Sequence, residues 1–558
     1  MSYAASSRIT RLARITTRWL PLIWLALILG LVPQPVSAEF DYDLVLRGGT
    51  LYLGGNAMAG PGDLAIRDDR IVAVGEAAGT ARREIDAAGL VVAPGFIDLH
   101  SHTDEVYRIA GWVPLPGSVH ANLNFLHQGV TTIATGNCGS GYADPEALRG
   151  WLARIDEMPF GSNVIHLVPH GRLRLLVMGE AQADRADPRP TPAEMARMKE
   201  LLGAGMGAGA WGMSTGLEYD PGARAGTEEL VELTRVVARR DGIYASHTRH
   251  EGPVPEQMLA SYAEAIEIGE RTGARVQISH LKLSGRRVHG MSARVIDLIE
   301  QARARGVRVT ADQYPYDAGS TTLASPAPAE MRDGGKVLRR YCEGPGREEL
   351  RKGVAFFLAE DTPPDGLLVS IYPWKWWLQG KTVAEIAADR GDDPVEVTMD
   401  LACARRPGSG IYFSQNESDI RELMQRPWVA TASDGTAIFN LLGRWAHPRL
   451  YGTFPRKIRR YVYDEELISL AFALRSMTEL PAEIFQIPER GRLTPGHYAD
   501  VVAFRPEGLR DVATFDESGR YSEGIEYLVV NGVLSIDAGE YTGDRGGRAL
   551  RHASNPEG

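Results

Sequence analysis

The sequence predicts an α/β fold: a (β/α)8 barrel carrying a small β-sandwich built from both ends of the chain. Three patterns predict it. Eight short apolar runs each end in polar or turn residues, stretches of helical period lie between them, and short alternating strands occupy both flanks. Strand and helix in alternation give parallel β, and eight such units close a barrel. An open doubly wound sheet is the rival. No glycine-rich dinucleotide fingerprint opens the first unit, however, and a barrel brings all eight polar ends to one mouth.

The runs are VVAPGFIDLHSH (91–102), VTTIATGNCG (130–139), NVIHLVPHG (163–171), AWGMSTGLEY (210–219), IYASHTRHEG (243–252), VQISHLKLSG (276–285), VRVTADQYPY (307–316) and VATASDGT (429–436). Helical period marks 191–207, 227–242, 255–273 and 292–306, several ending in Gly, with Thr191-Pro192 and Thr227 followed by acids as start signals. The barrel is expected over 94–488 and the composite sandwich over 39–93 and 489–545. Residues 317–428, between the seventh and eighth runs, are too long for a loop. They form an insertion, rich in Pro and Trp, that folds on itself or acts as a lid on the active face.

At 558 residues the chain exceeds one ordinary core, and its 44% hydrophobic and 24% charged content is that of a globular protein. Residues 1–38 differ. Arg8, Arg11, Arg14 and Arg18 lead into an apolar stretch over 20–32, and Val36-Ser37-Ala38 gives a small-x-small ending. This reads as a signal peptide cleaved after Ala38, so the protein is expected to be exported, periplasmic or extracellular. At ~1.5 Å per residue the apolar stretch reaches about 20 Å, short of the ~30 Å hydrocarbon core, so no stable membrane span is expected after cleavage. Cleavage leaves 57 basic against 71 acidic residues. An acidic chain without a basic run argues against a nucleic-acid partner. Three cysteines, Cys138, Cys342 and Cys403, allow one disulfide and leave at least one thiol free; whether Cys342 and Cys403 pair is open.

His100 and His102 end the first run, Cys138 the second; His247 lies in the fifth, His280 in the sixth and Asp434 in the eighth. Strand alternation puts the first two on one face, about 7 Å apart along the strand. Singly, each has an ordinary reading as a core or capping residue. Together, six residues of metal-ligand type at five strand ends point to a metal site. A thiol with imidazoles suits zinc, whereas magnesium and calcium prefer oxygen. Six ligands exceed one tetrahedral ion, so two neighbouring positions sharing Cys138, or one tight and one weak, are expected. Zinc lowers the pKa of bound water to roughly 7, and a nearby carboxylate can relay its proton. Asp434 is the candidate for that work, in metal-assisted hydrolysis of an amide or similar bond.

The stretches PGFIDLHSHTD, GVTTIATGNCG, STGLEY, ASHTRHEG, ISHLK, ADQYPYD, ASDG, HPRLYGTFPR and LTPGHYADVVAF together resemble the amidohydrolase superfamily and, within it, the N-acyl-D-amino-acid deacylases. The resemblance implies zinc held tightly by Cys138, His247 and His280, a weaker second position on His100, His102 and Asp434 with Cys138 shared, and Asp434 as acid/base. It also implies a small-molecule N-acylated amino acid as substrate, with its carboxylate on Lys282, Tyr314 and Arg449. Arg449 offers a bidentate fork for such a group. The D-enantiomer is implied by resemblance alone. The chain departs from the family in reading Arg249-His250-Glu251 where Arg-Asp-Glu is usual, in a longer gap from His102 to Cys138, and in a larger insertion. The fourth run has no lysine, so the carbamylated bridge of hydantoinases is missing where it is expected. Cyclic amides or dipeptides with a C-terminal D-residue are the alternative substrates, and a non-catalytic binding protein the distant one.

Overall fold

A computed structural model describes residues 40–110, 117–180, 187–332, 336–438 and 444–553; the arginine-led leader over 1–38 lies outside them. Among the described residues no helix is long and apolar enough to cross a membrane.

Each of the eight runs holds a parallel strand: β1 Phe96–Asp98, β2 Val130–Thr135, β3 Asn163–His166 resuming as Val168–Pro169, β4 Gly212–Gly216, β5 Ile243–His247, β6 Arg275–Ile278, β7 Val309–Gln313 and β8 Val429–Thr431. They pair in chain order from β1 to β3, and from the resumed end of β3 to β8. Across the break in β3, Leu167 N–H donates to Thr135 O and Trp211 N–H to His166 O, both at 2.9 Å. At the outer edges Ser101 bridges Gly435 in parallel, and Ser433 N–H donates to Asp98 Oδ1 at 3.0 Å. Nearly every strand residue is buried, as expected of parallel strands covered on both faces.

The intervening helices follow the sequence signals. Pro192–Gly207 starts on Thr191 with a capping box to Glu194, and Pro255–Thr272 stops at Gly273, whose φ of 71° needs no Cβ. Thr227 is the first residue of its helix, not the cap. Gly226 holds the cap position, and the Thr227 hydroxyl donates to Glu264 at 2.8 Å.

The first run splits. Val91–Pro94 leaves the parallel strands and pairs antiparallel with Val501–Phe504, so strands from the two chain ends form one hydrogen-bonded nine-stranded sheet. Leu46, Leu64, Val92, Val501 and Val529 share its core. A buried polar network ties this sheet to β3. Asp500 Oδ2 accepts from Asn163 at 3.1 Å and pairs with Arg490, while Asn531 donates to Asn163 Oδ1 at 2.6 Å.

The segment between β7 and β8 builds its own small sheet from Gly319–Thr322, Leu367–Val369 and Ser409–Tyr412. Helices Arg347–Glu360, Val383–Arg390 and Pro394–Ala402 cover a separate core containing Leu350, Val354, Ile386 and Val397. Cys342 and Cys403 form a disulfide across it, with Cα atoms 5.9 Å apart, and Cys138 is left free.

Denatured chain titrated with a thiol reagent is expected to show one thiol before reduction and three after; a count of three before reduction contradicts the pairing. Removing both disulfide cysteines is expected to destabilise the insertion by about 2–4 kcal/mol, read from its melting transition. Asp500→Ala leaves Arg490 buried without its partner and is expected to cost ~3–5 kcal/mol in urea unfolding.

Candidate metal centre and active site

The six predicted ligands lie at or just beyond strand C-termini. His247 is the last residue of β5. His100 lies two residues past β1 and His280 two past β6, while Cys138 and Asp434 follow β2 and β8 by three. Three of them adopt left-handed backbone: φ is 51° at Cys138, 35° at His280 and 49° at Asp434. That region disfavours residues with a Cβ, so the fold is holding strain where it aims these side chains. The Asp312 carboxylate, at the end of β7, accepts from His280 N–H at 2.7 Å and fixes that turn. Gly139, at φ 71°, lets the turn after Cys138 press against β4, where a Cβ would sit 2.8 Å from Gly216 N.

Cys138 Sγ is the focus. It lies 3.3 Å from His100 Nε2, 3.5 Å from His247 Nδ1 and 3.5 Å from His280 Nε2. Two overlapping triads bring their ligand atoms within 4.8 Å of one another: Cys138 with His247 and His280, and Cys138 with His100 and His102. The strand ends at Asp98, so the expected alternation over 100–102 does not operate. The two histidines instead flank Ser101, whose parallel bridge to Gly435 continues the pairing past the strand, and their ring centroids lie 5.3 Å apart. Asp434 Oδ1 closes the second group, 3.1 Å from His102 Nε2 and 3.6 Å from His100 Nε2.

Two acids that the ligand list lacks orient the histidines. Glu218 Oε2 lies 3.2 Å from His247 Nε2, and Glu251 Oε1 lies 3.1 Å from His280 Nδ1. Lys282 Nζ also approaches His280 Nδ1, at 2.7 Å, and one ring nitrogen cannot both donate to Glu251 and accept from Lys282. With Nε2 turned toward Cys138 as a lone-pair donor, Nδ1 carries the proton and donates to Glu251; the lysine contact is then proximity without a hydrogen bond. His100 Nδ1 lies 3.4 Å from Asp312 Oδ1, off the line of a hydrogen bond. Burial pushes both glutamates toward the neutral form, yet both are held below the usual carboxylate range. His247 and Arg332 outweigh burial at Glu218, and His247, Lys282 and His280 do so at Glu251. Burial likewise opposes the Cys138 thiolate, but His100 and His280 hold the thiol well below its ordinary value.

The three predicted carboxylate-binding residues line the same cavity, of about 550 Å³, together with His102, Cys138, His247, His280 and Asp434. Arg449 Nη1 pairs with Asp434 Oδ2 at 3.0 Å and its guanidinium lies over the Tyr314 ring at 4.6 Å, while its Nε is buried without a partner. Tyr314 OH accepts from Gln415 at 3.2 Å, which leaves its proton available. Lys282 does not follow from strand alternation, because β6 ends at Ile278; its ammonium turns back to Glu251 Oε2 at 2.7 Å. Of the unusual Arg249-His250 pair, Arg249 is spent on Glu264 and on the Ala223 and Ala225 carbonyls. Strand four offers no lysine to the centre.

A thiol, four imidazoles and a carboxylate converging in one buried cavity fit a borderline-soft divalent ion, and the carboxylates behind the imidazoles fit the outer shell of such a site. Glu218, Glu251 and Asp312 all lay inside runs already singled out. Glu251, four residues past His247, carried the clearest signal.

The sequence profile of the amidohydrolase family matches residues 83–536, and the chain belongs to that family. Within it, the chain falls among the D-aminoacylases and N-acyl-D-amino-acid deacylases. It is 34% identical to a D-aminoacylase of Alcaligenes xylosoxydans xylosoxydans over 92% of this chain and 98% of the relative, and 35% identical to an N-acyl-D-aspartate deacylase of the same organism over 92% and 96%. The crystal structure of an N-acyl-D-glutamate deacylase from Bordetella bronchiseptica, complexed with zinc and a phosphonate that mimics the tetrahedral intermediate, superposes with a TM-score of 0.75. The identity there is 34%, covering 91% of this chain and 99% of that one.

Replacing an orienting carboxylate should loosen the imidazole behind it. Glu251→Gln and Glu218→Gln are each expected to weaken metal retention about 10–100-fold in competition with a chelator. Unchanged retention in both would remove these acids from the centre.

Proposed function

We propose that this protein is an exported, zinc-dependent hydrolase of N-acyl-D-amino acids, releasing a carboxylate and a free D-amino acid. The observation that carries the reading is the approach of three imidazoles to Cys138 in the cavity that also holds Asp434 and Arg449. The two relatives and the structural neighbour, each matched over nearly its whole length, support the substrate class. The eight parallel strands are read as a closed (β/α)8 barrel over 94–488, with 39–93 and 489–545 as the composite sandwich; the Ser101–Gly435 bridge between the outer edges supports closure. The leader over 1–38 and the disulfide, a bond that persists in oxidising compartments, support export to the periplasm or beyond.

Cys138, His247 and His280 would hold the tight ion. His100, His102 and Asp434, with Cys138 shared, would hold a weaker one. Zinc bound there supplies a Lewis acid for the amide carbonyl and lowers the pKa of water. Asp434, anchored by His102 and Arg449, accepts a proton from the attacking water and returns it to the departing amide nitrogen. Burial opposes its charge, but Arg449, His102 and His100 hold it ionised well below the usual carboxylate range. The unfilled Nε edge of Arg449 and the Tyr314 hydroxyl receive the substrate carboxylate, and Lys282 adds positive charge beside them.

N-acetyl-D-methionine is expected to be hydrolysed by the zinc-loaded protein, with its L-form and hydantoin turned over far more slowly. Equal rates on both enantiomers would reject the stereochemical assignment, and hydantoin as the best substrate would reject the linear-amide one. Asp434→Asn is expected to lower kcat by about 10²–10⁴-fold while zinc on Cys138, His247 and His280 is retained.

A further inference from the structure

The cavity has a second end. The segment between β7 and β8 contributes Ser325, Phe357, Asp361 and Tyr412 to its lining, facing Glu218 and Tyr219 from the parallel strands. The charges around it are unevenly matched. Lys282 is paired with Glu251, Arg449 with Asp434, and Arg332 with Glu218. Asp361 stands apart. It is 92% buried, and among the described residues its carboxylate accepts only from the neighbouring Thr362 hydroxyl, at 2.8 Å, with no Lys, Arg or His forming an ion pair with it. The charged groups it senses are the acids Glu218 and Glu251, and burial with their repulsion pushes its carboxyl up to about 7. Nearby, the buried Ser325 hydroxyl has no partner, and Phe357 and Tyr412 pack edge to face with centroids 6.0 Å apart. The cavity's other cation, Arg172, forms no ion pair with Asp361 among the described residues, and a buried carboxyl without a paired cation is costly unless a ligand supplies one.

We infer that Asp361, Ser325, Phe357 and Tyr412 form a subsite for a long cationic substrate side chain, the aromatic rings covering its methylenes and Asp361 pairing its charged end, so that N-acyl derivatives of basic D-amino acids are preferred. This rests on the deacylase reading and adds the side-chain class to it. An aliphatic stem with a charged tip suits a wall that is apolar along its flank and acidic at its end. An acidic side chain would meet Asp361 and Glu218 as like charges.

The test compares kcat/KM of the zinc-loaded full chain on N-acetyl derivatives of D-lysine, D-norleucine and D-glutamate, the acyl group held constant. N-acetyl-D-lysine is expected to exceed N-acetyl-D-norleucine at least tenfold, through KM, with the glutamate derivative the poorest. Asp361→Asn is expected to reduce the lysine-to-norleucine ratio at least tenfold, and Asp361→Glu to keep part of it. Hydrolysis of norleucine with no lysine preference, or a preference that survives Asp361→Asn, overturns the subsite and leaves the deacylase reading standing. Hydrolysis of none of the three rejects the deacylase reading instead. In that case calorimetric titration with N-acetyl-D-lysine and N-acetyl-D-norleucine decides the subsite alone: at least tenfold tighter binding of the lysine compound, lost in Asp361→Asn, supports it, and equal binding overturns it.

Discussion

Everything at the cavity depends on one demand: a thiol and several imidazoles must share a single point. Left to themselves such groups satisfy one another by moving protons. Burial disfavours charge on His100 and His247, yet their contacts with Cys138 and nearby carboxylates push both up to about 10, while the thiol is driven down. Positive charge is thus favoured beside the thiol, and a divalent ion bound there would take the place of such protons. The left-handed turns at Cys138, His280 and Asp434 and the acids behind the rings follow from that demand. Strained backbone persists only where its surroundings over-determine it, and at His280 the Asp312 carboxylate accepts from the backbone N–H while Glu251 accepts from the ring.

The two additions to the parallel strands divide the remaining work. The sheet built from both chain ends sits away from the cavity and is locked to β3 through Asp500, Arg490, Asn531 and Asn163, a contact of structural rather than chemical importance. The segment between β7 and β8 faces the cavity, carries its own core and disulfide, and supplies Ser325, Phe357, Asp361 and Tyr412 to its wall. Scaffold and reaction centre thus come from the strands, while selectivity is placed on a unit that can vary without disturbing either.

Much of this was legible in the sequence because periodicity reports burial directly. All eight apolar runs contain a parallel strand, and the helix starting after Thr191 was written in its capping box. What escaped was local. Strand length at the first run was overestimated, since an apolar run does not reveal that Val91–Pro94 belongs to one sheet and Phe96–Asp98 to another. Thr227 looked like a cap but serves Glu264. All six candidate ligands come together, five lining the cavity and His100 buried behind Cys138, because ligand-type residues at strand ends stand out against apolar runs. Glu218, Glu251 and Asp312 did not stand out, since an acid in a polar strand end usually has a solvated role and only its distance to a ring nitrogen distinguishes it. The pairing of Arg449 with Asp434 was hidden for the same reason.

The bridge from Ser101 to Gly435 also sets a clock. His102 and Asp434 are separated by 332 residues, and the strand that carries the acid is the last of the eight parallel strands to emerge from a ribosome. Until then the earlier donors sit on an incomplete surface with an unpaired margin, open to unwanted association. Completion of the centre therefore waits on the eighth strand, and a truncated product lacking it would carry five of the six ligands without Asp434 or the Ser101–Gly435 bridge.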